Sequence, residues 1–465
     1  MRSHHKKVII IGAGLAGFSL ATELIDRGFD IEILERNRYL GGRASDLVDH
    51  KMHDAVPIGP HVFASWYNNF FRFLQKIHAE RLIEWEKKTF IEMINDGQHY
   101  KFLLHRLPAP LFVLPWIGMH PLLSLRDKIS NRGLLARVYF SSEKTLEKLD
   151  DVSAYEYLVR QKVTSRCIDI FWRFIVLSLL NVPLEKCSAA EFTLLVKRWS
   201  RLKRRKFGFP KVGLGDIYAD EAEEYIVKRG GRVCRNCAVT EIVVHDGKIL
   251  HLVAKENGRV VTLKADIVVS TLNPIDLRTV LPIQMQESDF CKILSGFDPV
   301  PYISVNLWFD KKISHKKFWA MLNGNGREYL NTDFYDLSNI YEKHAGGSFI
   351  ASNIINQPEC AFESDEEIVE HTLGEIKEVF PQMDAKLIHS HVHRIPYVIY
   401  APSPGSRANK MAVHSPLPNL FLAGDWTINE IPQCMEAAVR SGYKCAEEIL
   451  KMYGIREHIC DNRVY

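Results

Sequence analysis

Residues 8–35 read VIIIGAGLAGFSLATELIDRGFDIEILE, and this stretch decides the fold. The uninterrupted apolar run at 8–11 is typical of a buried strand. A helix is expected over about residues 15–27, and Gly28 follows it as a C-terminal stop. A second strand is expected at 31–34. The stretch therefore predicts a strand, a tight turn, a helix and a strand, which together form a βαβ unit.

The turn carries the spacing Gly-x-Gly-x-x-Gly at Gly12, Gly14 and Gly17, and Glu35 ends the second strand. In a nucleotide-binding turn the first glycine makes the bend, the second lets the backbone approach a diphosphate, and the third allows the helix to pack closely. The helix N-terminus favours the anion. An acid after the second strand accepts hydrogen bonds from a ribose. We therefore predict a dinucleotide site here.

Composition limits the remaining possibilities. The chain has 465 residues, of which 46% are hydrophobic and 25% charged, as expected for a globular protein with a sizeable core. A net charge of +4 is too small to indicate nucleic-acid binding, and no nucleic-acid partner is expected. The glycine spacing argues against a signal peptide at the N-terminus.

The nine cysteines are irregularly spaced, and only Cys234 and Cys237 form a C-x-x-C pair. No second pair or histidine arrangement completes a zinc site, so no metal is expected. Reduced thiols would indicate a cytoplasmic protein.

Further along the chain, residues 238–271 contain three alternating strands separated by Asp-Gly and Asn-Gly turns, which predicts an antiparallel meander followed by a buried strand. Another strand is expected at 419–423. A hairpin is expected within 89–102, and residues 302–310 alternate as a half-buried strand would. Residues 106–206 are expected to form a mostly helical cap.

Several segments resemble those of a known superfamily. The stretch ERNRYLGGR at 35–43 resembles the Glu…Gly-Gly-Arg segment of FAD-dependent amine oxidases and carotene desaturases. The segments at 59–78, 107–111 and 305–310 are similar to parts of plant-type phytoene and zeta-carotene desaturases. Residues 419–442, NLFLAGDWTINEIPQCMEAAVRSG, resemble the ending of phytoene desaturases and most closely that of the hydroxysqualene dehydroxylases.

The resemblance implies an α/β fold with a Rossmann-like FAD-binding domain of the glutathione-reductase type, an inserted sheet-based substrate domain and a helical cap. The expected domains are FAD-binding at 1–88, 207–276 and 405–455, substrate-binding at 89–105 and 277–404, and the cap at 106–206.

The resemblance also implies FAD as the cofactor. Asp425 would bind the ribityl or diphosphate part of FAD, Met435 would lie at a helix start beside the isoalloxazine ring, and Val239 would meet the adenine through its backbone. The full set that we assign to the cofactor is Gly12, Gly14, Ala16, Gly17, Glu35, Arg36, Gly42, Arg43, Val239, Gly424, Asp425 and Met435.

One position departs from the family pattern. The family has Met-Glu-Gly-Ala-Val where this chain has Ala437 in place of the glycine. A methyl group there could crowd a closely approaching flavin ring. This departure leaves open the alternative that the chain binds flavin without turnover.

The expected chemistry is hydride transfer to or from flavin N5, because the cofactor carries most of the reaction on a hydrocarbon. We predict a long isoprenoid substrate, and either desaturation or reductive removal of an allylic hydroxyl. The alternative enzyme class is a flavin amine oxidase. His61 and Arg407 are the candidate catalytic residues. The sequence contains no second glycine-rich dinucleotide site, so a quinone, oxygen or another transient partner is expected to exchange the electrons.

A peripheral membrane contact is a further hypothesis. Residues 107–125 are free of formal charge and contain four prolines, which disfavour a spanning helix. Seven of the ten residues at 197–206 are basic. Cations on anionic headgroups and apolar groups in the interface would suit a protein that takes its substrate from lipid. The alternative is a solvated helix face and a buried loop.

Overall fold

The computed structural model describes residues 6–87, 90–103, 117–118, 120–201, 206–324, 327–342, 344, 346–357, 363–409, 411–428 and 430–463. The strands, in chain order, are β1 (Lys7–Ile11), β2 (Asp30–Leu34), β3 (Asp46–Val48), β4 (Ala55–Pro57), β5 (Phe63–Ala64), β6 (Ile83–Trp85), β7 (Phe90–Asn95), β8 (Gln98–Leu103), β9 (Phe207–Pro210), β10 (Arg232–Cys234), β11 (Cys237–His245), β12 (Lys248–Glu256), β13 (Arg259–Leu263), β14 (Ile267–Ser270), β15 (Pro299–Phe309), β16 (Phe318–Met321), β17 (Asp333–Asp336), β18 (Phe349–Ile355), β19 (Leu387–Tyr400) and β20 (Leu420–Leu422).

The α-helices are α1 (Leu15–Ile25), α2 (Asn68–Lys76), α3 (Leu125–Ser130), α4 (Arg132–Tyr139), α5 (Glu143–Leu149), α6 (Ala154–Arg160), α7 (Ser165–Cys167), α8 (Arg173–Leu180), α9 (Ala189–Arg201), α10 (Ala219–Val227), α11 (Pro274–Val280), α12 (Asp289–Ser295), α13 (Leu337–Ile340), α14 (Asp365–Val379) and α15 (Met435–Met452). The fold is α/β, as predicted, with a parallel sheet and a separate, mostly antiparallel sheet.

A five-stranded parallel sheet has the order β10-β2-β1-β14-β20. Its first three elements in the chain, β1, α1 and β2, are the predicted βαβ unit. The helix ends at Ile25, slightly earlier than expected, and the chain reverses at Gly28 with a φ of +83°. Strand β20 comes from the predicted strand near the C-terminus and joins the same sheet. The first and last parts of the chain therefore build one sheet.

Helices α1 and α15 pack against each other through small residues. A Cβ atom added at Gly442 would overlap the Ser19 hydroxyl and lie 2.5 Å from the Ala16 carbonyl oxygen. Gly442 therefore allows the two helices to approach closely. This contact holds the C-terminal helix on the nucleotide-binding turn.

The predicted meander is present as the sheet β11-β12-β13. Both residues of each connecting turn have positive φ: +50° at Asp246 and +71° at Gly247, then +47° at Asn257 and +86° at Gly258. This is the geometry of type I′ hairpins, which is why Asp-Gly and Asn-Gly occur there. Apolar residues of the meander pack with those of the parallel sheet.

The second large sheet has seven strands in the order β19-β15-β18-β17-β16-β7-β8. The predicted 89–102 hairpin supplies β7 and β8. Strand β15 is not half-buried as expected, because Tyr302 to Phe309 are all buried. Helix α14 covers one face of this sheet, and the other face meets residues of the nucleotide-binding half.

Helices α3 to α9 form the region that was expected to be a helical cap. Its core includes Trp172, whose indole N–H donates to the Asn131 side chain at 2.8 Å. Residues 104–116 and 119, and residues 202–205 of the basic run, lie outside the described residues. The hypothesis that 107–125 and 197–206 contact a membrane falls largely on those positions.

Candidate functional site

A cavity of about 1070 Å³ lies between the parallel sheet and the seven-stranded sheet. Its walls come from the loops after β1, β2 and β20 on one side, and from β15, β17, β18 and β19 on the other. Ligands of doubly wound sheets bind outside the carboxyl ends of the strands. The cavity therefore joins the predicted dinucleotide site to a second, sheet-lined compartment.

The glycine-rich turn forms one wall of this cavity. Gly12 has a φ of +110°, and a Cβ atom there would overlap the Thr271 hydroxyl. At Gly14 an added Cβ would meet only the Gly41 carbonyl oxygen, 3.9 Å away, so it would project into open space. Gly12, Gly14 and Ala16 line the cavity at the N-terminus of α1. A bare backbone at a helix N-terminus suits a diphosphate.

Gly17 has a different position from the other two glycines. A Cβ atom on Gly17 would overlap the Gly12 carbonyl oxygen, and the residue does not line the cavity. It allows α1 to pack against the turn, as the motif requires.

Glu35 directly follows β2 and is 6% exposed. One carboxylate oxygen accepts from the Ala13 N–H at 3.0 Å, and the other accepts from the Asn37 N–H at 2.9 Å. These bonds hold the carboxylate at the cavity edge, where Val239 also lines the wall. Arg36 lines the cavity and pairs with Asp276 at 3.0 Å. The arrangement can hold a ribose and, beside it, an adenine.

The loop after Glu35 and the loop after β20 meet through an ion pair. Arg43 Nη2 lies 2.5 Å from Asp425 Oδ1, and Arg43 Nη1 donates to the Val398 carbonyl. Gly42 has a φ of +61° and Gly424 a φ of +131°, so both turns suit glycine. Through these two contacts Arg43 joins the segments of Asp425 and Val398 to its own loop at the cavity wall.

Helix α15 begins at Met435, which is 5% exposed and lines the cavity. The Gly424 N–H just before Asp425 donates to the Ser441 hydroxyl on this helix at 2.8 Å. The helix N-terminus is thereby fixed beside the Asp425 loop. Its partial positive charge can stabilise a negative charge on a bound ring.

Ala437 does not face the cavity, which corrects the expectation that its methyl group could crowd a flavin. It is fully buried and packs with Ile428 and Ile431. The cavity is lined instead by Met435 and Ala438, three residues apart and therefore on the same helix face. The departure from the family pattern thus falls on the side of the helix away from the cavity.

His61 lines the cavity, and its Nδ1 is hydrogen-bonded to the Gly59 carbonyl oxygen. Burial lowers the pKa of His61, and the nearby Arg43 guanidinium lowers it further. The imidazole is therefore neutral near pH 7, with Nδ1–H donating to the carbonyl and Nε2 left as an acceptor.

Arg407 does not line the cavity, so its geometry does not match the predicted catalytic role. Its guanidinium Nη1 lies 3.0 Å from Glu191, and its backbone N–H donates to Asp150 at 3.1 Å. Both partners belong to the helical region. Arg407 connects that region to the chain leading into β20.

The sequence did not single out the polar residues on the sheet side of the cavity. Asp333, Tyr335, Asn353 and His393 line it from β17, β18 and β19. They share no motif, because each strand contributes only one or two of them. The alternation along β17 could have identified two of them, because Asp333 and Tyr335 fall on one face of the strand.

The cysteine pair is buried and unreactive in character. Burial raises the pKa of Cys234 to about 12 and that of Cys237 to about 11.

Within the described ranges, no group of three His, Cys, Asp or Glu side chains has a metal-binding arrangement. None of the helices in these ranges is both long and apolar enough to cross a membrane.

A family described as flavin containing amine oxidoreductase matches residues 15–450. The chain is 27% identical over 463 residues to a 15-cis-phytoene desaturase of Synechococcus elongatus, covering 96% of each chain. It is 27% identical over 482 residues to a zeta-carotene desaturase of Zea mays, covering 95% of this chain and 83% of that one.

Among solved structures, wild-type putrescine oxidase bound to putrescine superposes with a TM-score of 0.71 at 14% identity, covering 96% of this chain and 99% of that one. At this identity the likeness concerns the fold.

Proposed function

The chain belongs to the flavin containing amine oxidoreductase family, and from this premise we propose that it acts on a long isoprenoid by hydride transfer. The protein is an FAD-dependent oxidoreductase. The proposal of an isoprenoid substrate has two supports. The relatives' names refer to carotenoid desaturases, and the cavity continues from the dinucleotide loops to the seven-stranded sheet.

The residues of the cavity fit the cofactor. Gly12 and Gly14 would bind the diphosphate of FAD, and Glu35 would accept from the adenosine ribose. Asp425 would bind the ribityl or diphosphate part. FAD, when bound, supplies a two-electron carrier whose N5 accepts or gives a hydride.

The protein's own part in the reaction is positioning and exclusion of water. Met435 and the start of α15 would fix the ring end of the cofactor, and the helix N-terminus would favour negative charge there. His61 in its neutral form would lie beside the reacting part of the substrate, where Nε2 could accept a hydrogen bond from an allylic hydroxyl but not from a hydrocarbon. Apolar residues such as Ile355 and Ile395 line the cavity beyond it.

The continuous cavity is the observation that carries this proposal. The test is anaerobic mixing of the FAD-loaded protein with phytoene, with hydroxysqualene and with putrescine, while the flavin absorbance is followed. We expect phytoene to bleach oxidised flavin, or hydroxysqualene to reoxidise reduced flavin. Bleaching by the amine alone would contradict the isoprenoid proposal and favour an amine oxidase.

A quinone or oxygen is the proposed electron partner. Adding each in turn to the reduced protein and following reoxidation of the flavin distinguishes the two.

We also retain the proposal of peripheral membrane contact. It is supported by large apolar side chains on the helical region, where Leu125 is 72% exposed, Ile129 49% and Phe140 81%. Exposed Arg126 and Arg132 lie among them. Sedimentation with anionic liposomes at low and high salt tests the contact. Protein that stays in the supernatant under both conditions would contradict it.

A further inference from the structure

The last residues of β19 meet the nucleotide-binding half of the molecule through side chains. Among the strands that the structure describes, β19 lies at the edge of the seven-stranded sheet, beside β15. Backbone N–H and C=O groups on the free side of an edge strand have no strand partner. Two side chains from the other half take that place: Arg43 donates to the Val398 carbonyl oxygen, and Gln433 pairs with Tyr400.

Gln433 binds the backbone of Tyr400 through both ends of its amide group. Its Oε1 accepts from the Tyr400 N–H at 3.0 Å, and its Nε2 donates to the Tyr400 carbonyl oxygen at 3.0 Å. The side chain thus reproduces the pair of hydrogen bonds that two opposite residues exchange in an antiparallel sheet. Two bonds to one residue fix both the position and the direction of the amide group.

The Tyr400 end of this contact is firmly held. Its side chain is 3% exposed and packs edge-on against Phe297, with the ring centroids 5.2 Å apart. Phe297 in turn packs against Trp426 at 5.5 Å, and the Trp426 indole N–H donates to the Leu272 carbonyl oxygen at 3.1 Å. Tyr400 is therefore a fixed point to which Gln433 is tied.

The other end of the contact leads directly to the start of α15. Gln433 lines the cavity and lies two residues before Met435, the first residue of the helix. Two residues span at most about 7 Å, so a shift of Gln433 moves the first turn of α15. That turn carries the partial positive charge of the helix, and Met435 and Ala438 form the cavity wall there. Gln433 therefore couples the helix start to the sheet across the cavity.

We propose that Gln433 is a positioning residue that sets the distance between the flavin ring and the seven-stranded sheet. The inference rests on the proposed function for where the ring lies, and it does not depend on which substrate is used. Gln433 acts through the Tyr400 backbone on one side and through the first turn of α15 on the other. It holds the helix N-terminus close to the ring, where the partial positive charge stabilises reduced FAD.

Two measurements on FAD-loaded protein without substrate test this role. Hydrogen exchange at the Tyr400 amide reports the contact itself. The midpoint potential of the bound flavin gives the ratio of the affinities for reduced and oxidised FAD. In Gln433→Met, which keeps the length of the side chain but neither hydrogen bond, exchange should become about tenfold faster. The affinity ratio should shift about threefold towards oxidised FAD, the size of a helix-terminus effect.

A second variant separates positioning from a chemical role of the amide group. Gln433→Asn keeps the amide but is one methylene shorter, so it cannot reach both backbone atoms of Tyr400. We expect the same two shifts as in Gln433→Met. The Gly424 N–H bond to Ser441 holds the body of α15 independently, so both variants should fold. Affinity for oxidised FAD should stay within about threefold of the wild type, because the diphosphate and ribose contacts are separate sites.

The matched control is Gln286→Met. The Gln286 Nε2 likewise donates to backbone carbonyl oxygens, those of Arg278 at 2.9 Å and Leu281 at 3.3 Å, but the residue does not line the cavity. Its substitution removes the same kind of bond between the same kinds of atoms. We expect a similar loss of stability and no change in the midpoint potential of the flavin.

Unchanged exchange at Tyr400, or an unchanged affinity ratio in both Gln433 variants, would overturn the inference and leave the proposed function standing. An equal shift in Gln286→Met would also overturn it, because the potential would then report general destabilisation. A loss of about tenfold or more in affinity for oxidised FAD would make Gln433 a binding residue instead of a positioning residue. Failure of isoprenoids to react with the flavin would overturn the proposed function without altering either of these two measurements.

Discussion

The two halves of the cavity are built in different ways. On the nucleotide side, Gly12, Gly14 and Glu35 lie within 24 residues of each other, and the Glu35 carboxylate accepts from the nearby backbone N–H groups of Ala13 and Asn37. On the sheet side, Asp333 and Asn353 come from two strands, and only the strand register brings them together. The nucleotide side is thus encoded by a short motif, whereas the sheet side is encoded by topology. The first half should be sensitive to single backbone contacts, and the second to changes in side-chain chemistry.

The largest effect is expected at the contact between α1 and α15. A Cβ atom at Gly442 would overlap Ser19 and Ala16, so Gly442→Ala should force the helices apart. We expect a loss of about 3 kcal/mol in the free energy of unfolding and loss of most bound FAD. Urea unfolding and the flavin-to-protein absorbance ratio measure both.

The matched control is Gly374→Ala in the middle of α14, where an added Cβ meets nothing within 4 Å. This change should stabilise the protein by about 0.5–1 kcal/mol, since alanine is the better helix former. The two substitutions are chemically identical and differ only in their surroundings. Equal effects at both sites would contradict the role assigned to the helix contact.

On the sheet side we expect a pH effect and retention of FAD. Because burial raises the pKa of Asp333 from 3.8 to about 7, the folded protein holds a proton that the unfolded chain releases near pH 4. The contribution of Asp333 to stability is therefore fully present below pH 4 and is lost as pH rises towards 7. Asp333→Asn lacks this loss, so its melting temperature relative to the wild type should increase from pH 4.5 to pH 7.5. A constant difference across this range would show that Asp333 titrates normally.

Substitution of Arg407 tests whether the functional site extends beyond the cavity. Arg407→Leu leaves the largely buried Glu191 without its cation, and we expect about 2 kcal/mol of destabilisation. Turnover per bound flavin should not change, because the side chain lies outside the cavity. Lost turnover at wild-type stability and flavin content would restore the catalytic role that the sequence suggested.

The smallest effect is expected at Ala437. Ala437→Gly restores the residue of the family pattern, and it should cost about 1 kcal/mol of stability, the usual penalty for glycine inside a helix. FAD affinity should stay within about twofold of the wild type, because the residue faces Ile428 and Ile431 and not the cavity. A clear gain in affinity or activity would mean that the methyl group does reach the flavin.

Much of the fold could be predicted from sequence because its signals are local. The βαβ unit, the two type I′ turns and the hairpin in 89–102 each depend on a few consecutive residues. Strand β15 was misjudged as half-buried because its second covering layer, helix α14, follows more than 50 residues later. Burial on that face is a property of the packing and not of the strand's own pattern.

Within the site, too, features with a local sequence signal could be predicted, and features set by long-range packing could not. Residues of the glycine-rich turn and Glu35 could be placed because the motif specifies their geometry. Arg407 could not, because a sequence does not show which way a loop residue points. The position of Ala437 could have been found from helix periodicity, since Met435 and Ala438 share a face and Ala437 does not. Asp333, Asn353 and His393 are brought together on the sheet side of the cavity by the strand order β17-β18-β15-β19, which no local pattern reveals.

The packing of α1 on α15 has a consequence for biosynthesis. Ser19 donates to the Val439 carbonyl oxygen at 3.5 Å across 420 positions of sequence. The glycine-rich turn is synthesised first, but the helix that completes its site leaves the ribosome only after almost all of the described chain. FAD capture should therefore wait until α15 has been synthesised, and the early βαβ unit must wait with open edges where β10 and β14 later pair. Folds dominated by such distant contacts form slowly, so the exposed edge is a target for chaperones during that interval.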